Sequence, residues 1–570
     1  MATIALPMGK EKGSFRTCTA TGLRVDLAAQ RLIIANAVAA VVFLLVGGIM
    51  ALLIALTRWQ AIHLLNGPWF YRTLTAHGFD MLVAWIVFFE VAGLYFGSAI
   101  MLNARLVAPK LAWAGFALML VGALMVNVIV LLGKADVMFT AYVPLKAHST
   151  FYLGIVLFAV GLILALVVFF ATLVMAKVER RYEGSLPLTV YGLAAAGIIA
   201  SYTVISGAAA FVPALFWSLG WMPEFDPGYY RNLFWGFGHP AQQVNLAAMV
   251  AIWYLLAAIT TGARPLNEKL SRLAFVLYLF FINLGSVHHL LVDPGLSFVY
   301  KAFNTSYGMY LAVLGSLIHA FSLPAALEVA LRAQGHTRGL LGWLRKAPWR
   351  EPGFSAMTLS IIIFGWVGGV TGVTIGTEQL NIVVHNTLRV PGHFHATVVS
   401  GTTLAFMGIT YYLIPLVFRR ELKLKKWAQW QPYIFAFGMV LLSVGMIASG
   451  IQGVPRRHYD ASFAAAPFPA AIPGTVHLTL AIFGIGAVIA CVGGAMYLIV
   501  VLASVLNPKT YDAKQLTLVI DQPKPLTEHQ VEDEALAPKG AFVLVLAFLA
   551  WFAVYYLANW WLLSGRWFVS

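Results

Sequence analysis

The chain is short of charge. Of its 570 residues only 10% are Asp, Glu, Lys or Arg, and 61% are hydrophobic. An average soluble domain carries roughly a quarter charged residues. A soluble globule of this make-up would show water a continuous apolar surface and aggregate. The composition therefore implies a polytopic protein embedded in a lipid bilayer and excludes a nucleic-acid binder. Cysteine is nearly missing, with Cys18 and Cys491 the two present. No CxxC or CxxxC spacing exists, which excludes a disulfide framework, an iron–sulfur site or a thiolate copper centre within the chain. The polar, basic first 28 residues lack the apolar run and small-residue cleavage site of a secretory signal. Acidic residues are the scarcer sign, 22 against 37 Lys and Arg. That surplus speaks first to membrane topology.

What is abundant is long apolar runs. A spanning helix needs about 20 apolar residues. Thirteen runs qualify: 30–57, 73–102, 111–133, 148–176, 187–218, 231–261, 271–292, 301–332, 354–376, 381–418, 429–451, 473–506 and 540–565. The expected fold is all-α and polytopic. Residues 1–28 form a cytoplasmic tail, 29–570 a single transmembrane catalytic domain, and the polar stretch 507–539 a cytoplasmic loop. One set of alternate loops (102–110, 177–184, 262–272, 334–352, 419–427) holds 17 Lys and Arg. The other set (58–72, 134–147, 219–231, 293–301, 377–390, 452–472) holds nine. The positive-inside rule puts the first set and the N-terminus in the cytoplasm. Thirteen spans then leave the C-terminus outside.

Ionisable residues within spans are functional candidates. Six histidines lie in or near the spans: His77, His239, His288, His289, His393 and His395. His393 and His395 are two positions apart on the tenth helix, hence about 200° apart around its axis. They cannot share one metal but can ligate two hemes on opposite sides of one helix, with His77 a natural opposite ligand for one of them. His288 and His289 are adjacent on the seventh helix and can reach one metal between them. His239 on the sixth helix would complete a three-imidazole set suited to copper, iron or zinc. Gln243 lies four residues on, on the same face. It reads equally well as a fourth ligand, as a hydrogen-bond partner of something bound, or as a helix–helix contact.

Gly238-His239-Pro240, His288-His289 with Asp293-Pro294-Gly295, Val384-His385-Asn386-Thr387, Val390-Pro391-Gly392-His393-Phe394-His395 and Val454-Pro455-Arg456-Arg457 together match a family. Over nearly its whole length the chain resembles the catalytic subunit I of heme-copper oxygen reductases, the B-type branch above all. The resemblance implies that His77 and His395 are the axial pair of a low-spin, six-coordinate heme. It makes His393 the proximal ligand of a high-spin, five-coordinate heme, and His239, His288 and His289 the holders of the second metal. It also implies that Arg456 and Arg457 pair with heme propionates, and that His385 and Asp293 belong to the same propionate and water region.

One departure bears on function. Oxygen-reducing members keep a tyrosine four residues after the first metal-binding histidine, bonded covalently to one of the metal-binding histidines. Here that position is Gln243. Cleaving O–O in one step draws four electrons, the last from that phenol. Coupling two NO to N2O and water needs two electrons and two protons and no side-chain radical. Nitric oxide reductases of the superfamily place an oxygen ligand at this position, commonly glutamate on a non-heme iron. The expected function is therefore a respiratory nitric oxide reductase, as in denitrification, with iron favoured over copper beside the high-spin heme. The alternative is a B-type cytochrome oxidase reducing O2 to water. A transporter with pore-lining histidines does not explain two histidines on opposite faces of one helix.

Tyr254 matches a tyrosine of the B-type proton path. Asn245, Ser316 and His319 are further candidates, and Glu90 inside the second helix reads as a proton relay or a partnered structural acid. No CxxCH or cysteine cluster holds an electron-donating centre. The resemblance implies a subunit II with a copper or cytochrome centre, fed by cytochrome c or a cupredoxin, or else by quinol, in a prokaryotic cytoplasmic membrane.

Overall fold

The computed structural model describes residues 14–18, 21–281, 283, 286–462, 472–508 and 536–566. Most of the expected loop 507–539 lies outside them. A short hairpin, β1 Phe15–Thr17 and β2 Arg24–Asp26, precedes the helices. Thirteen helical passages follow: α1 Leu27–Arg58, α2 Gly67–Ile100, α3 Pro109–Leu131, α4 Ser149–Val178, α5 Leu188–Ser218, α6 Pro227–Thr261, α7 Glu268–Phe280, α8 Phe298–Ala333, α9 Pro352–Gly376, α10 Arg389–Phe418, α11 Lys425–Ile451, α12 Gly474–Val505 and α13 Lys539–Ser564. Side-chain caps set several starts. Asp26, Asn66 and Asp226 each accept a backbone N–H of the first turn, at 2.9, 3.1 and 2.6 Å.

Twelve of these are long and apolar enough to span a membrane; α7 is not. The expected span 271–292 is helical only to Phe280. Beyond it the side-chain amide of Asn283 donates to the carbonyl of Tyr278. His288 and His289 therefore sit in a 3-10 turn, Val287–His289, and not on a helix. The described ends of this stretch nevertheless lie on opposite faces of the bundle. Arg272 near its start donates to the carbonyl of Leu186 and to Ser185 Oγ, while Asp293 at its far end pairs with Arg231. Consistently, α1 starts beside the loop that holds Asn103, and α13 ends against Leu380 on the opposite face.

Burial singles out the centre. In α2, α6 and α10, 83% of the most apolar window is buried, against 6% in α13. The three central helices carry His77, His239, His393 and His395. Their regular winding is broken nearby by π-turns at Asp80–Trp85, His395–Thr403 and, in the neighbouring α9, Phe364–Gly369. Such turns re-aim side chains and recur at functional sites.

Candidate active site

On α10, His395 Nδ1 donates to the carbonyl of Pro391 at 2.7 Å, and His77 Nδ1 on α2 donates to that of Gly47 at 3.0 Å. A carbonyl only accepts, so each Nδ1 holds the proton and each Nε2 is free to ligate. The two rings lie 6.3 Å apart between centroids and 15° from parallel. Two metal–nitrogen bonds of about 2 Å plus about 1.1 Å from nitrogen to each ring centre give roughly the same span. Gly47 lets α1 pack closely on α2 here: a Cβ there would come 2.7 Å from Met81 Sδ and 3.0 Å from Asp80 Cβ.

His393 faces the other way. Its Nδ1 has the Gly368 carbonyl at 2.9 Å and Thr371 Oγ1 at 3.1 Å. Gly372 backs the ring so closely that a Cβ would meet His393 Cε1 at 2.8 Å. Opposite, one nitrogen each from His239, His288 and His289 lie within 4.8 Å of one another. His239 presents Nδ1, at 2.9 Å from His288 Nε2 and 3.0 Å from His289 Nε2. The Trp235 indole, one turn before His239, stacks on His289 at 3.7 Å. Asn304 Oδ1 accepts the backbone N–H of His288 at 3.0 Å.

All six histidines line one cavity of about 590 Å3. Gln243 lines it too; the residue is 5% exposed and its Oε1 has no hydrogen-bond partner. Arg456 and Arg457 close the end reached by the loop after α11. Arg456 lies over the Phe394 ring at 5.6 Å and Arg457 over that of Tyr142 at 5.0 Å. Burial, then the neighbouring Arg457 charge, lower Arg456 to about 9. A carboxylate placed there would be strongly favoured. The residues thus fit two hemes and one further metal.

Known proteins agree. The family described as Cytochrome C and Quinol oxidase polypeptide I matches residues 31–473. The cytochrome c oxidase subunit 1 of Thermus thermophilus is 32% identical over 417 residues, 71% of this chain and 72% of that protein. That of Thermostichus vulcanus is 27% identical over 455 residues, 75% and 77% of the two chains. A heme-copper terminal oxidase dimer solved by cryo-EM shares the fold at TM-score 0.81 and 26% identity, covering 94% of this chain and 92% of its own. The chain belongs to the heme-copper oxidase subunit I family. It is a membrane oxidoreductase subunit of a family that binds hemes and a metal centre and works with subunit II.

The remaining candidates fall around this histidine-lined core. His385 Nδ1 lies 3.0 Å from Asn381 Oδ1, beside a second pocket of about 10 Å3, room for one water. Burial is the main cause that lowers His385, to about 4. Asp293 reaches this region through Arg231, whose Nε and Nη2 it accepts at 2.5 and 2.8 Å. Tyr254 bonds Ser271 Oγ at 3.1 Å and His319 Nδ1 at 3.0 Å. Tyr278 bonds Ser316 Oγ at 3.0 Å, and Ser316 lines the main cavity. Glu90 is buried on α2. With its amide oriented to satisfy both ends, Asn245 Nδ2 donates to Glu90 Oε1 at 2.9 Å, and Asn245 also lines the cavity.

Sequence reading missed three members. Arg58, last residue of α1, lines the cavity with its Nε unpartnered while its other nitrogens donate to the carbonyls of Pro455 and His458. A basic residue ending an apolar run reads as a topology charge, and nothing local marks it otherwise. Ser271 and Tyr278 lie seven positions apart on α7, two helical turns on one face. That spacing was the available signal.

Proposed function

We propose that this subunit reduces nitric oxide, joining two NO with two electrons and two protons to give N2O and water. Gln243 carries the reading. It stands one turn past His239 with a buried, unpartnered Oε1. Among the described residues no tyrosine lines the main cavity. Tyr142 reaches only the small outer pocket, and Tyr278 stops at Ser316. A chamber without a phenol suits a two-electron reaction.

The bound hemes and metal supply electrons and Lewis acidity. His77 and His395 would hold the low-spin heme, whose chemistry there would be electron exchange. His393 would hold the high-spin heme, on the side of the cavity that the three-histidine set shares. His239, His288 and His289 hold the second metal. Gln243 Oε1 adds a hard oxygen donor, which favours iron over copper. Arg456, Arg457 and the His385–Asp293 region receive the propionates. Tyr254, His319 and Ser316 convey protons from one face, with Glu90 and Asn245 as a second carboxyl-based route. Electrons come from a subunit II with a copper or cytochrome centre supplied by cytochrome c, a cupredoxin or quinol. The assembly sits in a prokaryotic cytoplasmic membrane, N-terminus inside and C-terminus outside.

A second reading, reduction of O2 to water, is favoured by the names of the two relatives, both cytochrome c oxidase subunits. One purified complex tests both. Anaerobic turnover should convert NO to N2O, with one non-heme iron per chain by metal analysis. Fast reduction of O2 with NO left untouched would overturn the proposal.

A further inference from the structure

Arg389 opens α10 one turn before His393 and is 0% exposed. It lines neither cavity, so it is not a third propionate clamp. It lies behind His393, where α9 meets α10, near the neutral phenol of Tyr555 on α13. Its Nη2 donates to Thr374 Oγ1 at 2.6 Å, while Nε and Nη1 have no partner. Among the described residues no carboxylate pairs with it. A guanidinium stays protonated in proteins. The buried end of α10 thus holds a permanent positive charge with no carboxylate partner among the described residues, an arrangement that costs stability.

The same side chain is tied to the His393 imidazole. Thr374 Oγ1 donates to the Thr371 carbonyl at 2.8 Å. The Thr371 hydroxyl in turn donates to the carbonyls of Val367 and Gly368 at 2.7 and 2.8 Å. Its oxygen is therefore left to accept from His393 Nδ1 at 3.1 Å, alongside the Gly368 carbonyl at 2.9 Å. Arg389 thus braces the threonine pair that orients His393, and adds charge on the same side.

Reduction of a heme adds one negative charge to this region of low dielectric, where Coulomb attraction is weakly screened. We propose that Arg389 is a positioning residue that raises the reduction potential of the heme on His393 through its uncompensated charge, while Thr374 and Thr371 tie it to that ligand's imidazole. The inference rests on His393 as ligand of the high-spin heme and is independent of the choice between NO and O2. A parent complex without a high-spin ferrous species that binds CO would defeat that ligand assignment itself, before any variant is made.

The test is a spectroelectrochemical titration of both hemes in the intact complex. In Arg389→Gln the ferric-to-ferrous ratio of the high-spin heme at a fixed ambient potential should rise about tenfold, ~59 mV for a one-electron couple. The ratio of the low-spin heme should change less. Arg389→Lys should restore the parent ratio. If Arg389→Gln does not assemble, Thr371→Val carries the test: loss of one acceptor on Nδ1 should lower the iron–His393 stretching frequency in the ferrous Raman spectrum. An unchanged high-spin ratio, equal shifts in both hemes, or an unmoved frequency in Thr371→Val would overturn the proposal. So would a parent ratio that tracks added halide, which would put a neutralising anion on Nε and Nη1.

Discussion

The two faces of α10 hold one histidine each and prepare them for opposite work. His395 meets His77 across 6.3 Å, each imidazole tied to a backbone carbonyl, a pair that would leave no position for a substrate on a heme held between them. His393 has no histidine opposite at that spacing. It faces instead three convergent imidazoles, an unpartnered amide oxygen and open volume. A saturated site serves electron transfer and an open one serves chemistry, the distinction that separates closed from catalytic metal sites. Two residues of sequence, about 200° of helix rotation, produce both.

Removing one ligand on each face separates them most sharply. His239→Ala should lower NO turnover about a thousandfold or more, because the second metal supplies the Lewis acid. Metal analysis should show one metal lost per chain and both hemes kept. His77→Ala should do the reverse, replacing the low-spin spectrum with a second high-spin one while the His393 heme still binds CO. A His239→Ala protein with full turnover would erase the contrast.

The next cut is at the donor that only the open face has. Gln243→Ala should reduce NO turnover about 10- to 100-fold, the range seen when groups supporting a metal site are removed. Gln243→Glu should retain more activity than Gln243→Ala, since it keeps an oxygen at the same reach. The measurement is N2O formed per complex, with metal content measured on the same sample. Equal, undiminished turnover in both variants would take Gln243 out of the mechanism.

The closed face was nearly all legible beforehand, and the open one only in part. Helical rotation separates His393 from His395, and the apolar runs locate the helices to a few residues. The end of α7 was hidden because Ile282 and Leu284 continue an apolar run, whereas Asn283 acts through its side chain on the Tyr278 carbonyl. The partners of His393 Nδ1 stand 25 and 22 residues away, beyond any local spacing rule. Arg58 and Arg389 were counted as loop charges, because burial is a property of the assembled bundle. Charge at the end of an apolar run therefore has two meanings, topology or site, and sequence alone does not separate them.

Proton supply also divides the faces, since only the open one consumes protons. Tyr254→Phe removes the hydroxyl that joins Ser271 to His319. Steady-state NO turnover should fall about tenfold, at the low end for loss of a proton-transferring group, with a larger solvent isotope effect. Low-spin heme reduction by the donor should be unchanged. Equal slowing of both steps would place Tyr254 in the scaffold.

The smallest effect is expected at Asp293. Its carboxylate accepts from Arg231 at 2.5 and 2.8 Å and so acts on the propionate and water region through that side chain. Both side chains of that pair keep solvent contact, at 21% and 15% exposure, so screening limits its worth. Asp293→Asn should cost about 1 kcal/mol of stability and change turnover by less than about twofold. Arg231, which lines the outer pocket with His385 and Arg456, would then carry its charge unpaired toward the propionates. The variant should therefore keep both hemes through a salt wash that strips neither from the parent. Loss of one heme in that wash would show that Asp293 holds a propionate-side water or proton directly.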